Sequence, residues 1–143
     1  YNYPGQTYTY PNGNSQVENP NGQPDLRAVF IEVGILDSSN RFTRTDTLRR
    51  SDYKVAIRFR VENIGNKTSL PYRFNAILPT YPAQTYNSDE KPGLAPGASV
   101  DYTIGFDRVL EGYTAVKLQI DGGNYILESN ETNNELIVPI RVL

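Results

Sequence analysis

The chain has 143 residues, with 14 Lys and Arg against 16 Asp and Glu, for a net charge of −2. That is one domain's worth of chain, long enough for a sizeable core, and its charge attracts neither nucleic acid nor an anionic membrane. It has no His, Cys or Met, which excludes Ser-His triads, Cys nucleophiles, disulfides and ordinary zinc sites.

Residues 1–24 are rich in Tyr, Asn, Pro, Gly, Gln and Thr, and Glu18 is their only charged side chain. Such a segment buries too little apolar surface to fold alone and reads as an extended arm. Thr7-Tyr8-Thr9-Tyr10 within it alternates strong β-formers at period two, between Pro4-Gly5 and Pro11-Asn12-Gly13. Tyr1, Tyr3, Tyr8 and Tyr10 place four of the eleven tyrosines in ten residues. Three fates are open to this strand. It can fold back as an edge strand, remain a linker, or add to the sheet of a neighbouring molecule. Position 1 is Tyr, which predicts a chain that starts after processing, such as signal-peptide removal, or a fragment.

From residue 25 the pattern changes to strands. Val29, Ile31, Val33 and Ile35 alternate with polar or small residues. Val55, Ile57, Phe59 and Val61 alternate with Ala56, Arg58, Arg60 and Glu62, as in a half-buried strand. Tyr72, Phe74, Ala76 and Leu78 follow, stopped by Pro79, and a short strand is expected around Thr85 to Asn87. Val100, Tyr102, Ile104 and Phe106 form the next strand, then Val116, Leu118 and Ile120, then Leu136, Val138, Ile140 and Val142. Pro139 predicts that the last strand lies at an edge or turns its nitrogen outward. No stretch of ten residues shows a helical period, and no apolar run approaches the ~18 residues of a membrane span. The fold class is therefore all-β, an antiparallel sandwich. The expected core is Val55, Ile57, Phe59, Val61, Phe74, Ile104, Phe106, Leu118, Ile120, Val138 and Ile140.

Charge is uneven along the chain. Eight basic residues lie between Arg41 and Lys67, and six acidic ones between Asp107 and Glu135. This suits either ordinary solvated strand faces or head-to-tail stacking. The acidic pairs Asp89-Glu90 and Glu128/Glu131 fall in turns without the apolar surroundings that would raise a carboxyl pKa, so no enzyme is expected. Asp121, Asn124, Glu128, Asn130 and Glu131 could offer oxygen ligands to calcium, but their spacing is not that of an EF-hand loop. The favoured reading is a structural turn, with Asn130, Asn133 and Asn134 bonding nearby backbone. No cofactor and no metal is expected. N-glycosylation triplets occur at Asn66-Lys67-Thr68 and Asn130-Glu131-Thr132.

Four pieces of the sequence carry a resemblance. They are Pro24-Asp25-Leu26, Val61-Glu62-Asn63-Ile64-Gly65, Leu94-Ala95-Pro96-Gly97-Ala98-Ser99, and the string from Ile120 through Asn134. In this order they resemble the opening, strand end, mid-domain turn and last hairpin of CARDB, the cell-adhesion-related domain of bacteria and archaea. The resemblance covers roughly residues 24–143 and leaves 1–23 unmatched, so the expected organisation is an arm, 1–24, followed by a sandwich domain, 25–143. It implies an immunoglobulin-like β-sandwich of about seven strands, a secreted or cell-surface location and no catalysis. The functional expectation is an extracellular structural or adhesive subunit. Its partner is another copy of itself, met by donation of the arm strand (Tyr1, Tyr3, Thr7, Tyr8, Thr9, Tyr10) into a surface fibre. The alternative is a monomeric module binding surface polysaccharide or protein through Tyr81, Tyr86, Tyr113 and Tyr125.

Overall fold

The computed structural model describes residues 6–9 (backbone only), 18–121 and 134–143. Nine strands and no helix occur among them: β1 (Gln6–Thr9), β2 (Leu26–Leu36), β3 (Phe42–Arg44), β4 (Lys54–Asn63), β5 (Phe74–Leu78), β6 (Gln84–Asn87), β7 (Ser99–Phe106), β8 (Gly112–Ile120) and β9 (Glu135–Val142). They form two antiparallel sheets. One runs β1-β7-β4-β2-β3 and the other β6-β5-β8-β9. This is the immunoglobulin-like sandwich the alternation requires. The two strands beyond the expected seven are β1, from the arm, and β3, whose three residues are too few to show a period.

The core follows the alternation. All eleven residues expected inside are buried. Where antibody domains place a disulfide and a Trp, this sandwich packs an aromatic cluster. The rings of Phe59 and Phe74 meet edge-on at 5.3 Å, Phe59 stacks on Tyr102 at 5.5 Å, and Tyr102 lies 4.8 Å from Phe74. The phenol groups of Tyr72 and Tyr102 share a hydrogen bond of 2.7 Å, which satisfies both buried hydroxyls.

Strand β2 departs from its apparent alternation. Its register against β4 shifts between Phe30 and Glu32, so Ile31 is the extra residue of a β-bulge. Ala28, opposite Val61, shares the core row with Val33 and Ile35, opposite Ile57 and Val55. Val29 instead sits opposite Arg60 on the outer face. The four residues Val29, Ile31, Val33 and Ile35 therefore do not share one face. A one-residue slip moves every side chain before it to the other side.

Edge strand β9 accommodates Pro139 as expected. The amide of Ile120 donates to the Asn134 carbonyl at 2.8 Å. Counting along the ladder makes Val116/Val138 and Thr114/Ile140 the hydrogen-bonded pairs, and Ala115/Pro139 a non-bonded one. The proline nitrogen thus points away from β8, where no donor is needed.

Three of the four signature pieces converge on Asn63, fully buried at the end of β4. Its Oδ1 accepts from the amides of Asp25 (3.1 Å) and Gly65 (3.0 Å). Its Nδ2 donates to the carbonyls of Lys67 (2.7 Å) and Leu94 (2.8 Å). Its own amide donates to the Ala98 carbonyl, and its carbonyl accepts from Gly97. Gly97 adopts φ 79°, which a turn here requires and an L side chain resists. A Cβ at Gly65 would meet the Gln23 carbonyl at 2.4 Å, so only glycine lets the two chain segments pass. These motif residues hold the sandwich end together.

Candidate functional site: the arm strand and its acceptor edge

The arm strand lies along its own domain. Gln6, Thr7, Tyr8 and Thr9 pair antiparallel with Tyr102, Asp101, Val100 and Ser99 of β7. β7 is otherwise the edge of its sheet, bonded on its inner side to β4. Without β1, its outer row of backbone donors and acceptors is open to any extended chain. Of the other arm residues singled out, Tyr1, Tyr3 and Tyr10 lie outside the described residues.

The arm is tethered at its far end. The Asn19 amide donates to the Asn66 carbonyl at 2.6 Å, and the Gln23 amide to Asn66 Oδ1 at 3.1 Å. Glu18 Oε1 accepts from the Thr68 amide at 3.0 Å. Asn66 is exposed, but its side-chain oxygen is used in this tether. The second triplet, at Asn130, lies outside the described residues.

The face of the acceptor sheet is charged yet locally balanced. Arg60 makes a two-point contact with Asp101 at 2.6 and 3.1 Å, which raises the guanidinium pKa above its ordinary value. Arg58 bonds Glu32 at 3.0 Å and Thr103 at 3.3 Å, and its guanidinium sits 4.3 Å over the Phe42 ring. Arg27 pairs with Glu62, and Arg41 with Asp37. Arginines of the basic run thus find carboxylates across the strands or in their own turn. Each pair is part-exposed and worth little alone.

The proposed structural turn is only partly visible. Asp121 and Asn134 are buried at its two ends. Asp121 takes φ 51°, and its amide donates to the Arg73 carbonyl at 2.9 Å. Asn124, Glu128, Asn130, Glu131 and Asn133 lie outside the described residues. Among the described residues no group of three or more acidic side chains could hold a metal ion. Thermal melting is expected to be the same with excess Ca²⁺ as with chelator. A ligand at a hundred times its dissociation constant would add ~2.7 kcal/mol by mass action, so a calcium-dependent rise in Tm overturns the structural-turn reading.

The tyrosines considered for ligand stacking divide. Tyr81 and Tyr113 are 78% and 84% exposed, the latter with Arg141 5.4 Å over its ring. Tyr86 is a core residue, 5.9 Å from Phe74, and is not available for stacking. In β6 it stands opposite the buried Ala76, so the ladder turns it inward. Tyr125 lies outside the described residues. Of the acidic pair Asp89-Glu90, Asp89 bonds Lys91 at 2.6 Å, and that contact lowers its carboxyl pKa.

The CARDB family model matches residues 23–138. The CARDB domain of a Pyrococcus furiosus protein, solved in complex with di-metal ions, superposes with a TM-score of 0.61 at 16% identity, over 94% of this chain and 99% of that one. A domain of a presumed cell surface protein from Methanosarcina acetivorans superposes with a TM-score of 0.52 at 20% identity, over 85% and 93%. No curated protein matches the sequence.

Proposed function

The chain belongs to the CARDB family, and from that premise we propose that it is a non-catalytic structural subunit that builds a surface fibre by donating its N-terminal strand to a neighbouring copy. The family is a cell-surface, adhesion-related and non-catalytic one. No helix among the described residues is long and apolar enough to cross a membrane.

The pairing of Gln6–Thr9 with the edge of β7 carries this reading. A strand that fits this edge within one chain fits the same edge of an identical chain. Exchange between copies conserves every contact and costs only association entropy. Between Thr9 and the tether at Glu18 lie eight residues, and eight residues reach at most ~26–29 Å when extended, which bounds how far the strand can be handed to a neighbour. A head-to-tail exchange of this kind propagates into a filament unless it closes into a ring.

Deleting residues 1–17 keeps the Glu18 tether and the whole sandwich, so the variant is expected to be a folded monomer. The full chain is expected to form oligomers whose size grows with concentration, by light scattering and electron microscopy. Tyr8→Pro, which removes a ladder donor, should behave like the deletion. A full chain that stays strictly monomeric, or a deletion variant that still forms fibres, overturns the proposal.

The di-metal ions of the Pyrococcus furiosus structure are a property of that protein; among the described residues here no group of three or more His, Cys, Asp or Glu side chains could hold a metal ion. A second reading, binding of surface polysaccharide or protein, is favoured by the exposure of Tyr81 and Tyr113.

A further inference from the structure

We propose that the cleft formed by Arg50, Tyr81, Arg108, Val109, Leu110 and Glu111 binds an acidic saccharide, a sugar ring bearing a carboxylate such as a hexuronate unit. The proposal rests on the second reading, polysaccharide binding at exposed tyrosines, and names its site and ligand class; it is independent of fibre assembly. Its lining comes from the turns after β5 and β7, with Arg50 from the segment between β3 and β4, whereas the arm pairs with Ser99–Tyr102 at the other end of β7. Its volume of about 370 Å³ falls within the range of small-ligand pockets.

The site is built on rigid backbone. The Tyr81 amide donates to the Arg108 carbonyl at 3.0 Å, the Leu110 amide donates to the Pro79 carbonyl at 2.9 Å, and Thr80 bridges Val109. These contacts lock the segments 79–81 and 108–110 together, with Tyr81, 78% exposed, on the lining next to Arg108 in the backbone pairing. An exposed tyrosine offers one flat apolar face and a polar tip, as stacking on a sugar requires.

Arg108 adopts φ 56°. Among the described residues the other non-glycine positions at positive φ are Asn40 and Asp121, types that tolerate this region through local hydrogen bonds. Arginine has no such excuse, and a glycine would fit the turn better. Arg108 is exposed and makes no ion pair among the described residues. A residue held in an unfavourable backbone state, with nothing in the fold using its side chain, points outward to a ligand. Arg50 stands by with its charge loosely met by Glu111 at 3.7 Å. The lining therefore carries two arginines against one glutamate, a surplus that selects an anion, and guanidinium matches carboxylate in two-point geometry. A protein partner fits less well. Beside Tyr81, the exposed apolar lining is Leu110, and protein hot spots need a deeper apolar anchor.

The test titrates the full chain with an oligogalacturonide and with the same oligomer methyl-esterified, which keeps the rings and removes the charge. Backbone NMR shifts locate the contact. The acidic oligomer should perturb residues 79–81 and 108–111 and bind at least tenfold more tightly than the ester, with affinity falling as salt rises. Arg108→Gly should keep or raise the Tm, because glycine accepts the positive φ, while cutting affinity about tenfold. Tyr81→Ala should weaken binding without unfolding. Equal binding of the ester, undiminished binding by Arg108→Gly, or no binding of the acidic oligomer overturns the proposal. So does a protein captured by this cleft in its place and lost in Arg108→Gly.

Discussion

Replacing Phe59 by alanine is expected to destabilise the sandwich by about 3–5 kcal/mol, seen as a fall in Tm of roughly 10–20 °C for a domain of this size. Phe59 is fully buried and sits between two rings, stacked on Tyr102 and edge-on to Phe74. These two partners come from different sheets, β7 and β5. Removing the ring therefore opens a void between the layers where neither sheet can close it. The strands around it are hydrogen-bonded on both sides, which limits their collapse. The cavity cost then adds to the lost transfer energy. Chemical denaturation should show the same loss with an unchanged m-value. A variant melting within a degree or two of the parent would mean that β4 places its other face inward.

The register of β4 is the part of the fold most legible in the sequence. Its alternation runs over Val55–Val61, and β7 pairs with it from Val55 to Glu62 without a register shift. The edges were less legible, for stated reasons. The bulge at Ile31 arises from how β2 meets β4, and no pattern within β2 alone reveals a two-against-one pairing. Tyr86 looked like a surface aromatic because β6 is four residues long between loops. Its inward turn is set by Ala76 across the ladder. The arm was readable as a strand, since Thr7 to Tyr10 alternates β-formers, but not which edge would receive it. Main-chain hydrogen bonds carry little sequence information. Arg108 gave no signal, because a positive φ at arginine cannot be read from residue type.

Asn63 illustrates the opposite case, a motif residue recognisable in sequence whose reason appears only in three dimensions. Substituting it is expected to cost about 3 kcal/mol or more. Alanine removes both side-chain donors and the acceptor shared by two amides, leaving the Asp25 and Gly65 amides and the Lys67 and Leu94 carbonyls to find other partners. Each buried group left unsatisfied costs about 1–3 kcal/mol, and water entering the gap recovers a share. Asn63→Asp is the sharper experiment. It keeps volume and shape and retains one oxygen for the two amides, but it turns the other oxygen towards two carbonyls. A carboxylate there meets lone pairs and burial together, both of which raise its pKa in the folded state. A group whose folded pKa is raised stabilises most below its unfolded pKa and loses that contribution as pH rises. The variant should therefore melt far below the parent at pH 7, and the gap should narrow as pH falls from the raised folded pKa down to about 4, as the acid gains a proton and can donate one hydrogen bond. Tm measured across that range for parent, Asn63→Ala and Asn63→Asp decides the matter. If Asn63→Asp melts with the parent at neutral pH, the Nδ2 bonds to Lys67 and Leu94 do not hold this end of the sandwich. The opening segment would then be anchored by its backbone bonds to Ile64 and Asn66 and by the close packing at Gly65.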